Sequence, residues 1–126
     1  MQDHGFIYKI IDYKETSKII YLYTKEGKIS FKALSLNKKN NPYKSVLITS
    51  NIIEYQITSS NFPNLIDSGI YYSFMNKLDD INLVEAIRII IEIINILPDD
   101  INHKRYYNLL ENILINLNNN PLKYLA

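Results

Sequence analysis

Hydrophobic and polar residues alternate through the first part of the chain. The clearest case is residues 28–36, where apolar residues take the odd positions from Ile29 to Ala33 and lysine or serine takes the even positions from Lys28 to Lys32. Successive side chains of a strand point to opposite faces, so this period of two predicts a strand with one buried face. Comparable runs predict four more strands, at residues 5–11, 17–24, 46–58 and 65–74.

Short polar connections separate these predicted strands. Lys25, Glu26 and Gly27 lie between the second and third, and three residues ending in glycine predict a hairpin. Glycine suits that place because it adopts positive φ without steric cost. Polar stretches at 37–44 and 59–64 predict loops. Five short strands favour a small barrel or a sandwich, and we expect the barrel because a two-sheet sandwich usually needs more strands.

The hydrophobic period changes after residue 76. Residues 81–97 are apolar at most positions, with a polar stripe at spacings of three and four, which predicts a largely buried helix. Asp79 and Asp80 precede this helix as candidate N-caps, and Pro98 ends it. A second helix is predicted at residues 103–117, and the acidic pair before it, Asp99 and Asp100, is assigned to capping in the same way.

A third helix is predicted to begin near the end of the sequence. Asn120 followed by Pro121 is a helix-start signal, but the sequence stops at Ala126, before two turns are complete. We therefore expect the chain to be the N-terminal part of a longer protein or a shortened version of one. The predicted architecture is α+β, with a five-stranded barrel over residues 1–76 and a helical region over residues 77–126.

The formal net charge of +1 hides an uneven distribution of charge. Residues 1–46 hold nine lysines and four acidic residues, which gives +5, whereas residues 47–126 hold five basic and nine acidic residues, which gives −4. A basic face on a small barrel is typical of proteins that bind single-stranded nucleic acid. The alternative is a lysine-rich surface that serves only solubility.

Candidate nucleic-acid contacts lie mainly on the third strand and in the loop after it. The first set of candidate phosphate contacts is Lys28, Lys32, Lys38, Lys39 and Lys44, and the second set is Lys9, Lys14 and Lys18. Tyr21 and Tyr23 alternate with Ile20 and Leu22. If the aliphatic pair fills the barrel, the tyrosines face outward and can stack on bases. Ordinary cross-strand packing is the alternative for both rings.

The composition disfavours several other kinds of site. The chain has no cysteine, which excludes a disulfide framework, a thiolate zinc site and a cysteine nucleophile. His4 and His103 have no partner at metal-ligand spacing, and three glycines cannot form a glycine-rich phosphate loop. We expect no enzyme activity, cofactor or metal. Without a signal peptide or a membrane-spanning apolar run, a cytoplasmic protein is expected.

An ordered set of short segments runs through the strand region. The segments are Gly5-Phe6-Ile7, Asp12-Tyr13-Lys14-Glu15 with Ser17-Lys18-Ile19-Ile20, and Thr24-Lys25-Glu26-Gly27-Lys28-Ile29. This order resembles the opening of the bacterial DNA repair family RecO. The chain departs from the family pattern at Lys14, where glycine is frequent, and in a shorter turn before Gly27. It also lacks the arginines of the basic loop after the third strand, although Lys38 and Lys39 lie there.

The resemblance implies an OB-fold barrel followed by a helical domain. It also implies a recombination mediator that binds single-stranded DNA, promotes strand annealing and loads RecA together with RecR. Single-strand binding protein is a further partner by resemblance, and association with the bacterial nucleoid is expected. Many members carry a four-cysteine zinc module after the first helices. The present sequence stops before that point, so no zinc is expected in it. Two alternatives stay open: a protein-interaction module with little DNA affinity, and an RNA-binding OB module.

Overall fold

The computed structural model describes residues 3–74 and 79–119. Five strands come first, followed by two helices. The strands are β1 His4–Tyr13, β2 Ser17–Thr24, β3 Gly27–Ala33, β4 Ile52–Ile57 and β5 Leu65–Tyr72, and the helices are α1 Ile81–Ile96 and α2 His103–Asn119. The predicted α+β class is confirmed. The predicted domain boundary and the start of the predicted third helix lie outside the described residues.

The five strands form one antiparallel sheet in the order β3-β2-β1-β4-β5. The predicted hairpin between β2 and β3 is present, and Thr24 pairs with Gly27 across it. The Thr24 hydroxyl accepts the Glu26 amide at 3.1 Å and donates to the Gly27 carbonyl at 3.0 Å. Gly27 has φ +109°, which only glycine adopts without strain. The turn chemistry read from the sequence therefore sets this hairpin.

The prediction that the fourth strand begins at residue 46 is wrong, because β4 begins at Ile52. Residues 46–51 form turns instead, in which the Leu47 amide donates to the Tyr43 carbonyl at 2.9 Å. The Asn51 side-chain amide donates to the Val46 carbonyl at 2.9 Å. Leu47 is buried without belonging to a strand. Its apolar side chain fills the core from a loop, which a hydrophobic run alone cannot distinguish from strand pairing.

The sheet curls around an inner core. This core contains Ile7, Ile20, Leu22, Phe31, Ala33, Leu36, Leu47 and Ile53, with Ile57 and Leu65 packed against it. The prediction of a closed barrel is not confirmed, because the sheet is not closed. Among the described residues, the edge strands β3 and β5 are linked near one end by a single isolated bridge between Lys32 and Asn64. Beside it, the Lys32 amide donates to the Pro63 carbonyl at 2.8 Å.

The two helices pack on the outer face of the sheet and form a second core with it. Sheet residues of this outer core are Phe6, Tyr8, Tyr23 and Ile52; its helical residues are Leu83, Ile87, Ile90, Ile94, Tyr107, Leu114 and Leu117. Neighbouring residues of β1 and β2 therefore serve different cores. Phe6 belongs to the outer core and Ile7 to the inner one, so the central strands are buried on both faces at the end where the helices pack.

A side chain caps the N-terminus of each helix, but the sequence analysis named the correct residue only for α1. The Asp80 carboxylate accepts the amides of Asn82 and Leu83, at 3.0 and 3.3 Å, which confirms it as the N-cap of α1. At α2, the Asn102 side chain accepts the Arg105 amide at 3.2 Å. The assignment of Asp99 and Asp100 as caps of the second helix is therefore wrong, because Asn102 lies next to the first helical residue.

Only one face of α1 is buried, contrary to the prediction of a largely buried helix. Leu83, Ile87, Ile90 and Ile94 face the sheet, whereas Ile89 and Ile96 are 47% and 80% exposed. No helix within the two described stretches has both the length and the apolar character needed to cross a membrane.

Candidate nucleic-acid interface

The outer face of β1, β2 and β3 has a covered end and an open end. At the covered end, Tyr23 of β2 pairs with Lys28 of β3, and helices α1 and α2 pack over this region. At the open end, Ile19 pairs with Lys32 and Ile11 pairs with Ile19. On this face, the open end and the loops around it are the part that the helices leave uncovered. The ten candidate residues divide between these two ends and the β3–β4 loop.

Tyr23 lies at the covered end, and the prediction that its ring faces solvent is wrong. The side chain is fully buried, with its hydroxyl 2.8 Å from Nδ1 of His103 and its ring edge-on to that imidazole. Burial raises the pKa of Tyr23, and the nearby Tyr106 raises it further. Tyr23 does point away from the inner core, as the alternation predicted. The helices cover that face, so its ring cannot stack on a base.

Lys28 also lies at the covered end, where it contacts the C-terminus of α1. Its ammonium donates to the carbonyls of Asn95 and Leu97, at 3.3 and 3.0 Å. The last carbonyls of a helix lack intrahelical partners and carry partial negative charge, so a lysine there is stabilising. Lys28 therefore has a structural contact that sequence spacing did not reveal.

Replacing Lys28 by methionine should lower the free energy of unfolding by about 0.3–1 kcal/mol, because the carbonyls at the end of α1 lose their cationic donor. Methionine keeps a long unbranched side chain, so packing changes little. Urea unfolding of Lys28→Met against the wild type measures this difference. A variant of unchanged stability would show that the contact contributes nothing to helix docking.

Lys9 and Lys18 lie toward the open end, one against an aromatic ring and the other in an ion pair. The Lys9 ammonium is 5.4 Å from the ring centroid of Tyr21, which is half-buried beside Tyr8. Tyr21 thus keeps part of its ring accessible, unlike Tyr23. Lys18 at this end forms an ion pair with the exposed Asp12, with Nζ and Oδ1 3.3 Å apart. Lys18 pairs with Ala33 of the inner core, so it lies on the other face of the sheet from Tyr21, and Asp12 offsets its positive charge.

Four residues from three separate segments form a cation–aromatic cluster: Tyr13, Lys14, Lys32 and Phe62. The Lys14 ammonium is 5.3 Å from the Tyr13 ring centroid, and the Lys32 ammonium is 4.6 Å from that of Phe62. The two rings meet edge to face, with centroids 5.8 Å apart. The cluster therefore joins the β1–β2 turn, strand β3 and the β4–β5 loop.

The backbone at Lys14 explains one departure from the RecO pattern. Lys14 has φ +57°, in the left-handed region that glycine occupies without steric cost. The glycine that is frequent at this position in the family would therefore fit the same turn. Here the turn instead carries an exposed ammonium at the edge of the cation–aromatic cluster.

Lys38 and Lys39 lie at the beginning of the β3–β4 loop, and both are exposed. The Asn37 amide donates to the Thr16 carbonyl at 2.9 Å, which holds this part of the loop beside the β1–β2 turn. The two lysines therefore lie at the same end of the sheet as Lys14.

Lys44, also exposed, lies further along the loop and next to Tyr43. The Tyr43 hydroxyl donates to the Asp67 carboxylate on β5 at 3.0 Å, and this hydrogen bond raises the pKa of Tyr43. Lys44 is thus next in sequence to a residue that is hydrogen-bonded to an acidic group. Of the first candidate set, the structure brings Lys32, Lys38 and Lys39 to the open end, and it places Lys28 at the covered end and Lys44 beside Tyr43, which contacts β5.

Sequence analysis missed Phe62 and Tyr13 as members of the site. Phe62 is the apolar residue of an otherwise polar loop, Ser59-Ser60-Asn61-Phe62-Pro63-Asn64, and 40% of it is exposed. A large aromatic residue in such a loop was the available signal. The sequence does not show what Phe62 lies next to, because the bridge between Lys32 and Asn64 brings together residues that are far apart in sequence.

The comparison with protein families identifies the chain. The family model described as recombination protein O N terminal matches residues 1–68, which cover β1 to β4 and the beginning of β5. No curated protein matches the chain. The family match spans more than half of the sequence and includes every residue of the open end described above. The chain therefore belongs to the RecO N-terminal family and is a RecO-type protein of DNA recombination and repair.

Proposed function

We propose that this chain binds single-stranded DNA at the open end of its sheet. The main supporting observation is the cation–aromatic cluster, where exposed and partly exposed rings and lysines lie together between two loops. Positive charge follows the phosphates of a strand, and aromatic side chains stack on its bases. The OB-fold assignment is part of this proposal. The strand order and the bridge near the β4–β5 loop support it, since OB-folds bind oligonucleotides with β2, β3, the β1–β2 loop and the β4–β5 loop.

We further propose that binding serves recombination mediation without covalent catalysis. On this proposal the complete protein anneals complementary strands, contacts single-strand binding protein and acts with RecR to load RecA. Membership of the RecO N-terminal family supports DNA and recombination proteins as partners in general. The described residues contain no group of three metal-ligating side chains. The proposed activity depends on contacts with phosphates and bases.

Equilibrium binding to a labelled single-stranded oligonucleotide tests the function. Affinity should fall linearly with salt on a double-logarithmic plot, with a slope of about −0.7 for each phosphate contact, starting from about 50 mM salt. No binding at about 50 mM salt would contradict the proposal. An RNA oligonucleotide of the same sequence is the comparison for the alternative of an RNA-binding module, which would require tighter binding to RNA.

A second candidate function, protein interaction through the helices, is favoured by exposed apolar side chains. Ile89, Ile93 and Ile96 on α1, and Leu109 and Ile113 on α2, are all at least partly exposed to solvent. Such side chains are typical of surfaces that bind other proteins when they form a continuous patch. Binding to purified RecR by a chain that fails to bind DNA would favour this second function over the first.

A further inference from the structure

We propose that Phe62 stacks on an unpaired base of the bound strand and so gives the interface its preference for single-stranded over double-stranded DNA. This inference rests on the proposed function and deepens it, because it assigns the preference to one side chain. Phe62 belongs to the β4–β5 loop and was not a candidate on sequence grounds. Four steps support it: the fixed position of the loop, the exposure of the ring, the adjacent cation and the chemistry of unpaired bases.

The loop that carries Phe62 is held on both sides. Within it, the Thr58 amide donates to the Asn64 carbonyl and the Asn64 amide donates to the Thr58 hydroxyl, both at 2.9 Å. From strand β3, the Lys32 amide donates to the Pro63 carbonyl of the loop at 2.8 Å. Pro63 also restricts the backbone of Phe62 to extended conformations. The ring is therefore positioned before any ligand binds, which lowers the entropy lost on binding.

The Phe62 ring is exposed and packs in neither core. The side chain belongs to neither hydrophobic core, and 40% of it is open to solvent. Tyr13 contacts its ring edge to face, which fixes the orientation of the ring without covering it fully. The ring therefore keeps a partly exposed apolar surface, held in place by a second ring, on which a base can stack.

The Lys32 ammonium lies 4.6 Å from the centre of the Phe62 ring. Lysine carries its charge on a flexible four-carbon stem, so the ammonium can move from the ring to a phosphate when a strand arrives. The phosphate and the base of one nucleotide are thus able to contact Lys32 and Phe62 together. Lys14, whose ammonium lies 5.3 Å from the Tyr13 ring centroid, is placed to contact a neighbouring phosphate.

Only an unpaired base offers its face to such a ring. In a duplex each base is stacked between its neighbours, and exposing it costs unstacking energy. Lysine–phosphate contacts do not distinguish the two forms in this way, because both present phosphates. A stacking residue therefore adds affinity for single strands alone. The lysines supply general DNA affinity, and Phe62 supplies the discrimination.

Phe62→Ala should weaken binding to a single-stranded oligonucleotide by roughly tenfold to a hundredfold, the effect typical of one lost base stack. Binding to duplex DNA should stay within about twofold, and the salt slope should not change because no phosphate contact is lost. On an abasic oligonucleotide, which has phosphates but no bases, wild type and variant should bind equally. Ile66→Ala is the matched control, because Ile66 is similarly exposed, at 50%, on β5.

Phe62→Trp gives a second readout that does not depend on losing affinity. The chain contains no tryptophan, so this variant has a single indole. Single-stranded DNA should quench its fluorescence on binding, whereas the abasic strand should bind without quenching it. Thermal unfolding of both variants checks that each is folded.

The possible results distinguish failure of this inference from failure of the proposed function. Unquenched indole fluorescence in a bound complex, or wild-type affinity of Phe62→Ala for single strands, overturns the role of Phe62 and leaves DNA binding intact. Equal losses for single-stranded and duplex DNA also overturn it, because the ring then provides no discrimination. Failure of the wild type to bind any DNA removes both proposals together.

Discussion

Replacing Lys14, Lys38 and Lys39 by glutamine should reduce the steepness of the salt dependence of single-strand binding by about 2, at about 0.7 for each lost phosphate contact. At about 50 mM salt the same change should lower affinity by two orders of magnitude or more, since counterion release contributes most at low salt. All three side chains are exposed, so their loss should leave the fold unchanged. Fluorescence anisotropy over a series of salt concentrations measures both quantities.

The matched control is the triple variant Lys25→Gln, Lys104→Gln and Arg105→Gln. It changes the net charge by the same amount, and its residues are also exposed. Lys25 lies in the β2–β3 turn, at the opposite end of β2 from Lys14, and Lys104 lines the same surface pocket as Lys25. This variant should lose affinity only through the smaller long-range effect of net charge. Equal effects of the two triple variants would show that total charge governs binding and that the open end is not the interface.

Replacing Leu114 by alanine should lower the free energy of unfolding by about 3 kcal/mol, within the range of about 2–5 kcal/mol for buried leucines. Leu114 is 1% exposed in the outer core, so its loss leaves a cavity between α2 and the sheet. Domains of this size have total stabilities of roughly 5–15 kcal/mol, so the change is a large fraction of the whole. Chemical denaturation followed by circular dichroism gives the difference directly.

Leu109→Ala is the control for this variant. It makes the same chemical change in the same helix, but Leu109 is 53% exposed. Its replacement should lower the free energy of unfolding by less than about 0.5 kcal/mol. Because the outer core joins strands and helices, Leu114→Ala should shift the unfolding of both in a single transition. Two separate transitions, with only the helical one shifted, would mean that residues 1–76 fold independently of the helices.

Sequence patterns predicted the parts of the fold that depend on local chemistry. Alternation in β2 and β3 correctly placed Leu22 and Phe31 toward one core, and the cap at Asp80 and the break at Pro98 placed the ends of α1 within a residue. The run at 46–51 failed because apolar side chains fill a core equally well from a turn. Local patterns determine which face a side chain takes, and they do not show what packs against that face.

The candidate site illustrates the same limit. Alternation correctly placed Tyr23 and Lys28 away from the inner core, but helices from the other half of the chain cover both. Phe62 was missed for the opposite reason, because its neighbours Tyr13 and Lys32 are about 30 to 50 positions away in sequence. Contacts between distant segments decide which outward-facing residues remain exposed to a ligand. The pattern of a single sequence does not report such contacts.

The burial of β1 and β2 on both faces has a consequence for motion. Local opening of a protein is easiest where few apolar contacts must break and hardest where a strand belongs to two cores. Opening of β1 or β2 must break apolar contacts on both faces at once, because Phe6 and Ile7 anchor β1 in different cores, whereas the exposed turn 14–16 can open at a lower free-energy cost. A DNA strand can therefore reorder this turn without unfolding the sheet, while the hydrogen-bonded β4–β5 loop keeps its position.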